Sequence, residues 1–292
     1  MRRQGLVAWL LALPFLAVFA VFMIFPLVGS LAMSFTDLTS RDAATPFAVD
    51  LVGFEQYAAL FADERFRQAI LNTAYFVGVG IPITLAVGLA LAVAVDAGIH
   101  RLQSVWRIGF FAPVVTSIVA VAIVWRFMLQ SDGLVNSFLA SIGIDGPQWL
   151  SDPLWAMPSI IAMTVWRNAG LAMIIFLAGL QAIPRELREA AAVDGANGWI
   201  RFRRITLPLL RPTVLLGAVL LAVTYIQMFE EPFVMTGGGP LGATTSVSLY
   251  VYERFGLGDY ASAAAGSYVL FIATAAIAAV WFRMLRPRVG ES

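Results

Sequence analysis

Polar and aromatic residues interrupt otherwise apolar sequence at two places: Trp166, Arg167 and Asn168 in one run, and Tyr225, Gln227, Glu230 and Glu231 in another. Together they offer what a polar solute needs. An indole gives a stacking face, while guanidinium, amide, hydroxyl and carboxylate groups reach hydroxyls. Bond-making chemistry is missing. The chain has no Lys, no Cys and a single histidine, His100. Those absences remove a G-x-x-x-x-G-K-[ST] phosphate loop, Schiff-base catalysis, thiol nucleophiles, disulfides and Cys-rich zinc sites. His100, beside Arg101, reads as a solvated side chain and not as a ligand. We therefore expect no catalytic residue, metal or cofactor on this chain, and any nucleotide hydrolysis on another one.

The elements that position these residues are membrane helices. The 292 residues are 60% hydrophobic and 13% charged, with a mean hydropathy of +0.83. Soluble domains carry about 25% charge and 45–50% apolar residues. Crossing about 30 Å of hydrocarbon takes about 20 apolar residues in a helix, which satisfies its own backbone polar groups. Six stretches qualify: 6–35, 69–95, 105–129, 158–180, 212–229 and 261–284. The first follows Arg2 and Arg3, but its apolar run exceeds the 7–15 residues of a signal peptide, so it reads as an uncleaved span. The expected fold is all-α, one transmembrane domain over residues 1–292.

Arginine sets the orientation, because Arg-rich loops stay cytoplasmic. The N-terminus, the loop 96–107, the loop 181–211 and the tail from Arg283 hold 13 Arg, against four in the alternate loops. Both termini are thus expected inside. The acidic residues are complementary, 13 of 18 lying on the other side.

Arg167 falls about nine residues into the fourth span, roughly 13 Å deep at 1.5 Å per residue. Too deep to snorkel easily, it must face a bundle interior or watery cavity and have a partner. Two readings stand: a contact for a sugar-sized ligand with Trp166 and Asn168, or a structural Arg bonded to backbone carbonyls or to a partner subunit. Tyr225 and Gln227 read as lining a solute path that Glu230 could join, and Glu231 as marking the exit of span five to water. Trp125, Arg126, Trp149 and Trp155 read as an interfacial belt. Gly80, Thr84 and Gly88 form a small-residue ridge that permits close helix packing.

The loop 181–211 predicts two short amphipathic helices. Pro184 suits a helix start, and Gly195 a helix stop. Asn197 can cap a second helix carrying Ile200, Phe202 and Ile205, expected to end before Pro208. In the first helix Leu187, Ala190, Ala191 and Asp194 share a face. Ala190 to Ala192 keep that helix slender, fit for a groove on a partner. Composition alone is also consistent with a plain surface helix.

The order of residues in that loop carries more. Glu189-Ala190-Ala191, Asp194-Gly195-Ala196, Phe202, Ile205, Leu207-Pro208 and Pro212 resemble the EAA signature of bacterial binding-protein-dependent ABC importers. Nearly the whole chain is similar to the carbohydrate-importing permeases of the maltose-transporter type. Pro26, Ser34-Phe35-Thr36, Gly53, Tyr57, Phe61, Asp63, Phe66 and Asn72-Thr73 resemble that family's first half. Trp106-Arg107, Pro113, Trp125-Arg126, Gly133-Leu134, Asn136, Leu177 to Gln181, Ile183-Pro184 and Thr236 to Pro240 continue the pattern. Lacking a large extra outer domain or additional N-terminal spans, the chain looks like the minimal six-span form.

The resemblance implies a permease subunit of the bacterial cytoplasmic (inner) membrane that translocates a sugar or sugar-like solute. It implies a second homologous permease subunit, two ATPase subunits carrying ATP and Mg, and an extracytoplasmic solute-binding protein. Glu189, Ala190, Ala191, Asp194, Gly195 and Ala196 would then form a cytoplasmic coupling helix between spans four and five. Lipid is the other expected partner, and nothing points to nucleic acid. A non-sugar solute such as a glycerol phosphate ester remains open. An ion-coupled secondary transporter is a further alternative, although it would more often place carboxylates inside the membrane.

Overall fold

In the computed structural model the chain is helical almost throughout, and the described residues are 2–44, 49–97 and 103–285. His100, Arg101 and the tail beyond residue 285 lie outside them. Helix α1 (Arg2–Phe19) continues through a π-helical turn, Ala20–Ile24, into α2 (Phe25–Met33). Then come α3 (Glu55–Ala62), α4 (Glu64–Ala97), α5 (Gln103–Val115), α6 (Ile118–Met128), α7 (Leu134–Ser141) and α8 (Pro153–Gln181). The second half holds α9 (Arg185–Val193), α10 (Gly198–Arg201), a second π-helical turn at Phe202–Thr206, α11 (Leu207–Leu209), α12 (Arg211–Ile226), α13 (Glu230–Met235), α14 (Val247–Gly256) and α15 (Tyr260–Leu285). Among the described residues the only extended pairing is an isolated antiparallel bridge, Thr36 to Leu51.

By length and composition, four helical segments can cross a membrane: Leu11–Met33, Glu64–Ala97, Pro153–Gln181 and Tyr260–Val280. Two bent pairs, Gln103–Val115 with Ile118–Met128 and Gly198–Leu209 with Arg211–Ile226, raise the number to six if each is one span. The stretch 105–129 is therefore not one straight helix. It turns by 94° between α5 and α6. Pro113 weakens the end of α5, the Thr116 N–H and hydroxyl both fold back on the Pro113 carbonyl, and Ser117 is extended at ψ 126°.

Both π-helical turns end two residues before a proline, Pro26 and Pro208. Proline has no N–H for the carbonyl four residues back, and its ring collides with that carbonyl. In each turn the N–H just before the proline bonds the carbonyl five residues back, Phe25 to Ala20 and Leu207 to Phe202, and this widened turn gives the backbone room ahead of the proline ring. This corrects the expectation that the second loop helix ends before Pro208. The helical path runs through it to Leu209, with a 63° bend only at α12.

The chain divides into two compact units. One comprises Met1–Arg67 with Tyr250–Phe271, the other Gln68–Leu249 with Ile272–Ser292. In the first, the Leu11–Met33 segment buries none of its residues within this chain. A helix apolar all round in that way belongs in lipid or against another subunit. In the second, α8 is the central post, its start fixed by Asp152 capping the Leu154 N–H and by Pro153. Its fully buried Ile160, Met163, Met173 and Phe176 sit in two apolar clusters, with Phe76 and Tyr225 in one and Ala92 and Leu210 in the other.

Small residues set the spacing. A Cβ at Gly88 of α4 would lie 2.4 Å from the Ala172 Cβ of α8, and one at Gly170 only 2.0 Å from the Phe110 carbonyl oxygen of α5. The ridge of Gly80, Thr84 and Gly88 is thus a packing surface, meeting Tyr225 at one end and α8 at the other.

Candidate functional site

Four arrangements in the chain could serve a function: a polar cluster around Arg167, the 181–211 loop, a hydrogen-bonded group in the loop after α13, and another around Asp63 between α3 and α4.

Arg167 projects from the middle of α8 toward the α5–α6 corner. Its Nη2 donates to the Val114 and Thr116 carbonyls, both at 3.3 Å, and its Nη1 lies 3.5 Å from the Asn168 Oδ1. The corner leaves carbonyls without helical partners, and the guanidinium serves them. Asn168 is buried, donating to the Thr164 carbonyl at 3.1 Å and lying 3.5 Å from the Tyr225 hydroxyl. Tyr225 is also buried, and its hydroxyl meets the Thr84 hydroxyl at 2.8 Å. The structure thus joins Arg167, Asn168 and Tyr225 with Thr84, which the solute-path expectation omitted. Trp166 turns away, 47% exposed, with its ring centroid 5.8 Å from that of Trp125. Gln227 and Glu230 are exposed.

Glu231 requires a correction. The expected marker of an exit to water is only 6% exposed, because α13 folds back against α6 and α8 and turns Glu231 inward. Two consecutive glutamates cannot share a helix face, so burying one exposes the other. Trp125 and Trp149 are likewise half-buried against the core. The Trp149 indole donates to the Asn136 Oδ1 at 2.8 Å, so it has an internal partner, and Trp155 packs edge-on to it at 5.2 Å. Arg126 donates to the Val234 carbonyl of α13 at 3.2 Å.

In the 181–211 loop, Gly195 adopts φ +78°, the Ala196 N–H bonds the Ala191 carbonyl at 2.9 Å and the Asp194 N–H bonds that of Ala190. A left-handed residue at this place with a 6→1 bond closes the helix as a Schellman turn. Asn197 then caps α10, its Oδ1 accepting from the Ile200 N–H at 2.9 Å. Glu189, Ala190, Asp194 and Gly195 are exposed and Ala196 is half-buried, but Ala191 is buried. Ala190 and Ala191 therefore do not present one surface. Neighbours on a helix point about 100° apart, and the closing turn covers the position of Ala191.

The 236–246 loop is pinned by hydroxyls and an amide. Thr236 and Thr244 meet at 2.7 Å, Thr244 and Thr245 donate to the Gly239 and Gly238 carbonyls, and Ser246 donates to that of Met228 at 2.7 Å. From α4 the Asn72 amide donates to the Gly242 and Thr245 carbonyls, and the Thr73 hydroxyl accepts from the Val247 N–H. Leu241 stands at the tip, 95% exposed.

A second group lies at the start of α4. Asp63 accepts from the Arg65 N–H at 2.8 Å and from the Tyr250 hydroxyl at 2.6 Å, and it pairs with Arg254. Partial burial raises the Asp63 carboxyl, but Tyr250, the Arg65 N–H and Arg254 outweigh it and hold it below the ordinary carboxylate value. Burial and the neighbouring Asp63 push the Tyr250 hydroxyl up to about 12 against the pull of Arg254. Neither group emerges from spacing alone, since its members lie about 170 to 190 residues apart. The polar run Thr244-Thr245-Ser246 was the available signal for the first.

Comparison with known proteins places these features in context. A family described as binding-protein-dependent transport system inner membrane component matches residues 57–291. The lactose transport system permease protein LacF of Rhizobium radiobacter is 36% identical over 98% of this chain and 96% of its own length. The trehalose/maltose transport system permease protein MalF of Thermococcus litoralis is 32% identical over the same shares. A solved bacterial ABC transporter involved in the import of the acidic polysaccharide alginate contains a chain 28% identical, with a TM-score of 0.80 over 99% of this chain and 98% of that one.

Proposed function

The chain belongs to the binding-protein-dependent transport inner membrane components, and from that premise we propose that it is a permease subunit of an ABC importer for a sugar or sugar-like solute. The observation that carries the reading is its likeness, over 98% of its length, to permeases of lactose and of trehalose/maltose. In this reading the chain makes and breaks no bonds. It forms half of a path with a second homologous permease, receives solute from an extracytoplasmic binding protein, and is driven by two ATPase subunits that hold ATP and Mg.

Each structural group then has a task. Glu189, Ala190, Asp194, Gly195 and Ala196 contact the ATPase on the cytoplasmic side, with Ala191 beneath them supporting the turn. Gly195 and the Asn197 cap fix the angle at which motion of α9 passes through α10 and α11 to α12, the helix that carries Tyr225. Asn168 and Tyr225, with the half-buried Arg167, are the inner part of the solute path, while Trp166, Gln227 and Glu230 are its exposed part. Six spans with both termini cytoplasmic fit the 13-to-four division of arginine.

The test is reconstitution with the partner permease, ATPase and binding protein in vesicles. ATP-dependent uptake of a labelled disaccharide and co-purification of the ATPase are expected. Uptake driven by an ion gradient without any ATPase would overturn the importer reading.

A further inference from the structure

Among the described residues three buried side-chain atoms have no hydrogen-bond partner: Nε of Arg107, Nε of Arg167 and Oε2 of Glu231. The last two belong together. Arg167 lies on α8 and Glu231 on α13, which packs on α8. Yet they are not hydrogen-bonded. Arg167 instead holds the Val114 and Thr116 carbonyls at 3.3 Å, longer than the 2.7–3.2 Å usual for such bonds. The other cation near α13 is poorly placed to neutralise Glu231: Arg126 donates to the Val234 carbonyl and is exposed.

A buried carboxylate with an unfilled oxygen is unfavourable, and so is a guanidinium on long bonds with a free N–H. A guanidinium has five N–H donors in a fixed fork, and a carboxylate takes two of them side by side. The arrangement has one donor and two alternative acceptors: the carbonyls at the 94° corner, or the Glu231 carboxylate. An element with two discrete settings is what a conformational cycle requires.

We propose that Glu231 is a positioning residue for transport, which takes the guanidinium of Arg167 when the α5–α6 corner lets it go. In one setting Arg167 fastens the corner to α8. In the other it fastens α13 to α8, and the corner is free to change angle. The inference rests on the transporter reading above and adds to it a residue, Glu231, that acts through Arg167 and need not touch solute.

The experiment uses the full reconstituted complex with Glu231→Gln, Glu231→Asp, Arg167→Met, Arg126→Gln and the doubles Glu231→Gln/Arg167→Met and Glu231→Gln/Arg126→Gln. ATP-driven uptake, ATP hydrolysis and thermal unfolding are read for each. Glu231→Gln is expected to lower uptake at least tenfold while the unfolding temperature stays at or above wild type, since the change removes an unpaired buried charge. Hydrolysis per solute should rise, Glu231→Asp should recover part of the uptake, and the Arg167 double should be no worse than its worse single. Glu231 supporting only the fold would instead lower the unfolding temperature. Uptake within twofold of wild type in Glu231→Gln, independent losses in the Arg167 double, or non-additivity with Arg126 in its place would overturn the proposal. A wild-type complex that hydrolyses ATP without moving solute would remove the transporter reading and this inference with it, whereas variant failure against an active wild type bears on Glu231 alone.

Discussion

The hydroxyls of Thr84 and Tyr225 meet at 2.8 Å, one on α4 and one on α12, and Gly80 leaves room for the tyrosine ring, whose Cε2 would lie 3.1 Å from a Cβ at that position. Thr84 also donates to the Gly80 carbonyl at 2.8 Å, so Tyr225→Phe leaves Thr84 with a partner. The stability loss should be near the roughly 0.6 kcal/mol average of interhelical hydrogen bonds in membranes. Tyr225→Ala, which empties a core position, should cost about 3–5 kcal/mol. Thermal unfolding of the purified complex measures both. Tyr225→Phe also bears on the solute path: uptake falling several-fold with little change in stability supports a contact, and unchanged uptake removes Tyr225 from it.

Gly88 gives a sharper packing test. With a Cβ placed 2.4 Å from that of Ala172 and 3.1 Å from its backbone carbon, neither helix can yield by rotating a side chain. Gly88→Val should therefore lower the yield of folded complex severely, whereas Gly109→Val, at a glycine with open space around its Cβ position, should cost little beyond helix propensity. Equal yields of the two variants would mean that α4 and α8 are spaced by something other than these small residues.

These contacts show how far the sequence was legible. Apolar runs and the Gly80-Thr84-Gly88 ridge are local patterns, so the helices and one packing surface could be read directly. Gly195 and Asn197 were legible for the same reason, because turn and cap chemistry is local. The 94° corner was not: Pro113 and Ser117 are compatible with a mild kink, and only the docking of Arg167 and of Phe110 against Gly170 fixes the sharper turn. Glu231 was misread because a carboxylate at the end of an apolar run ordinarily meets water. Its burial depends on α13 returning to α6 and α8, a long-range event that the local pattern does not encode.

The Asp63 group gives a prediction about pH. A carboxyl whose folded-state value is depressed contributes stability above its unfolded value, near 3.8 here, and loses it as pH falls through the folded value. The unit that contains Asp63, Tyr250 and Arg254 should accordingly loosen only in acid, below about pH 4. Asp63→Asn should loosen it at neutral pH and flatten the acid response, at a cost of about 1.5–3 kcal/mol for hydrogen bonds to a charged group. Hydrogen exchange of the Tyr250 segment from pH 7 to pH 3 reads the effect. Identical acid profiles in wild type and Asp63→Asn would assign the acid sensitivity to other carboxylates.

Orientation can be tested cleanly because the natural chain has no cysteine. Single cysteines at the exposed positions Ser141, Ala190 and Leu241 should react differently with an impermeant maleimide on intact cells. Ser141→Cys and Leu241→Cys are expected to label directly, and Ala190→Cys only after permeabilisation. The reverse pattern would invert the topology and place the 181–211 loop where no ATPase can reach it.

The proposed coupling role of the 181–211 loop is best probed by two neighbouring alanines that differ in burial. Ala190 is exposed and Ala191 is 8% exposed, one residue further along α9. Ala190→Trp should leave the chain folded and block a partner groove, cutting ATPase co-purification at least tenfold. Ala191→Trp should act inside the chain, lowering its own yield before any partner binds. Gly195 offers an independent probe, since its φ of +78° strains any side chain while no atom lies within 4 Å of an added Cβ. Gly195→Ala should thus cost about 1–2 kcal/mol of left-handed strain without a clash, and Gly195→Val more, with α10 misdirected and hydrolysis uncoupled from uptake. ATPase retention and uptake at wild-type rates in both Ala190→Trp and Gly195→Val would make the loop an ordinary connection, and motion would have to enter the permease by another route.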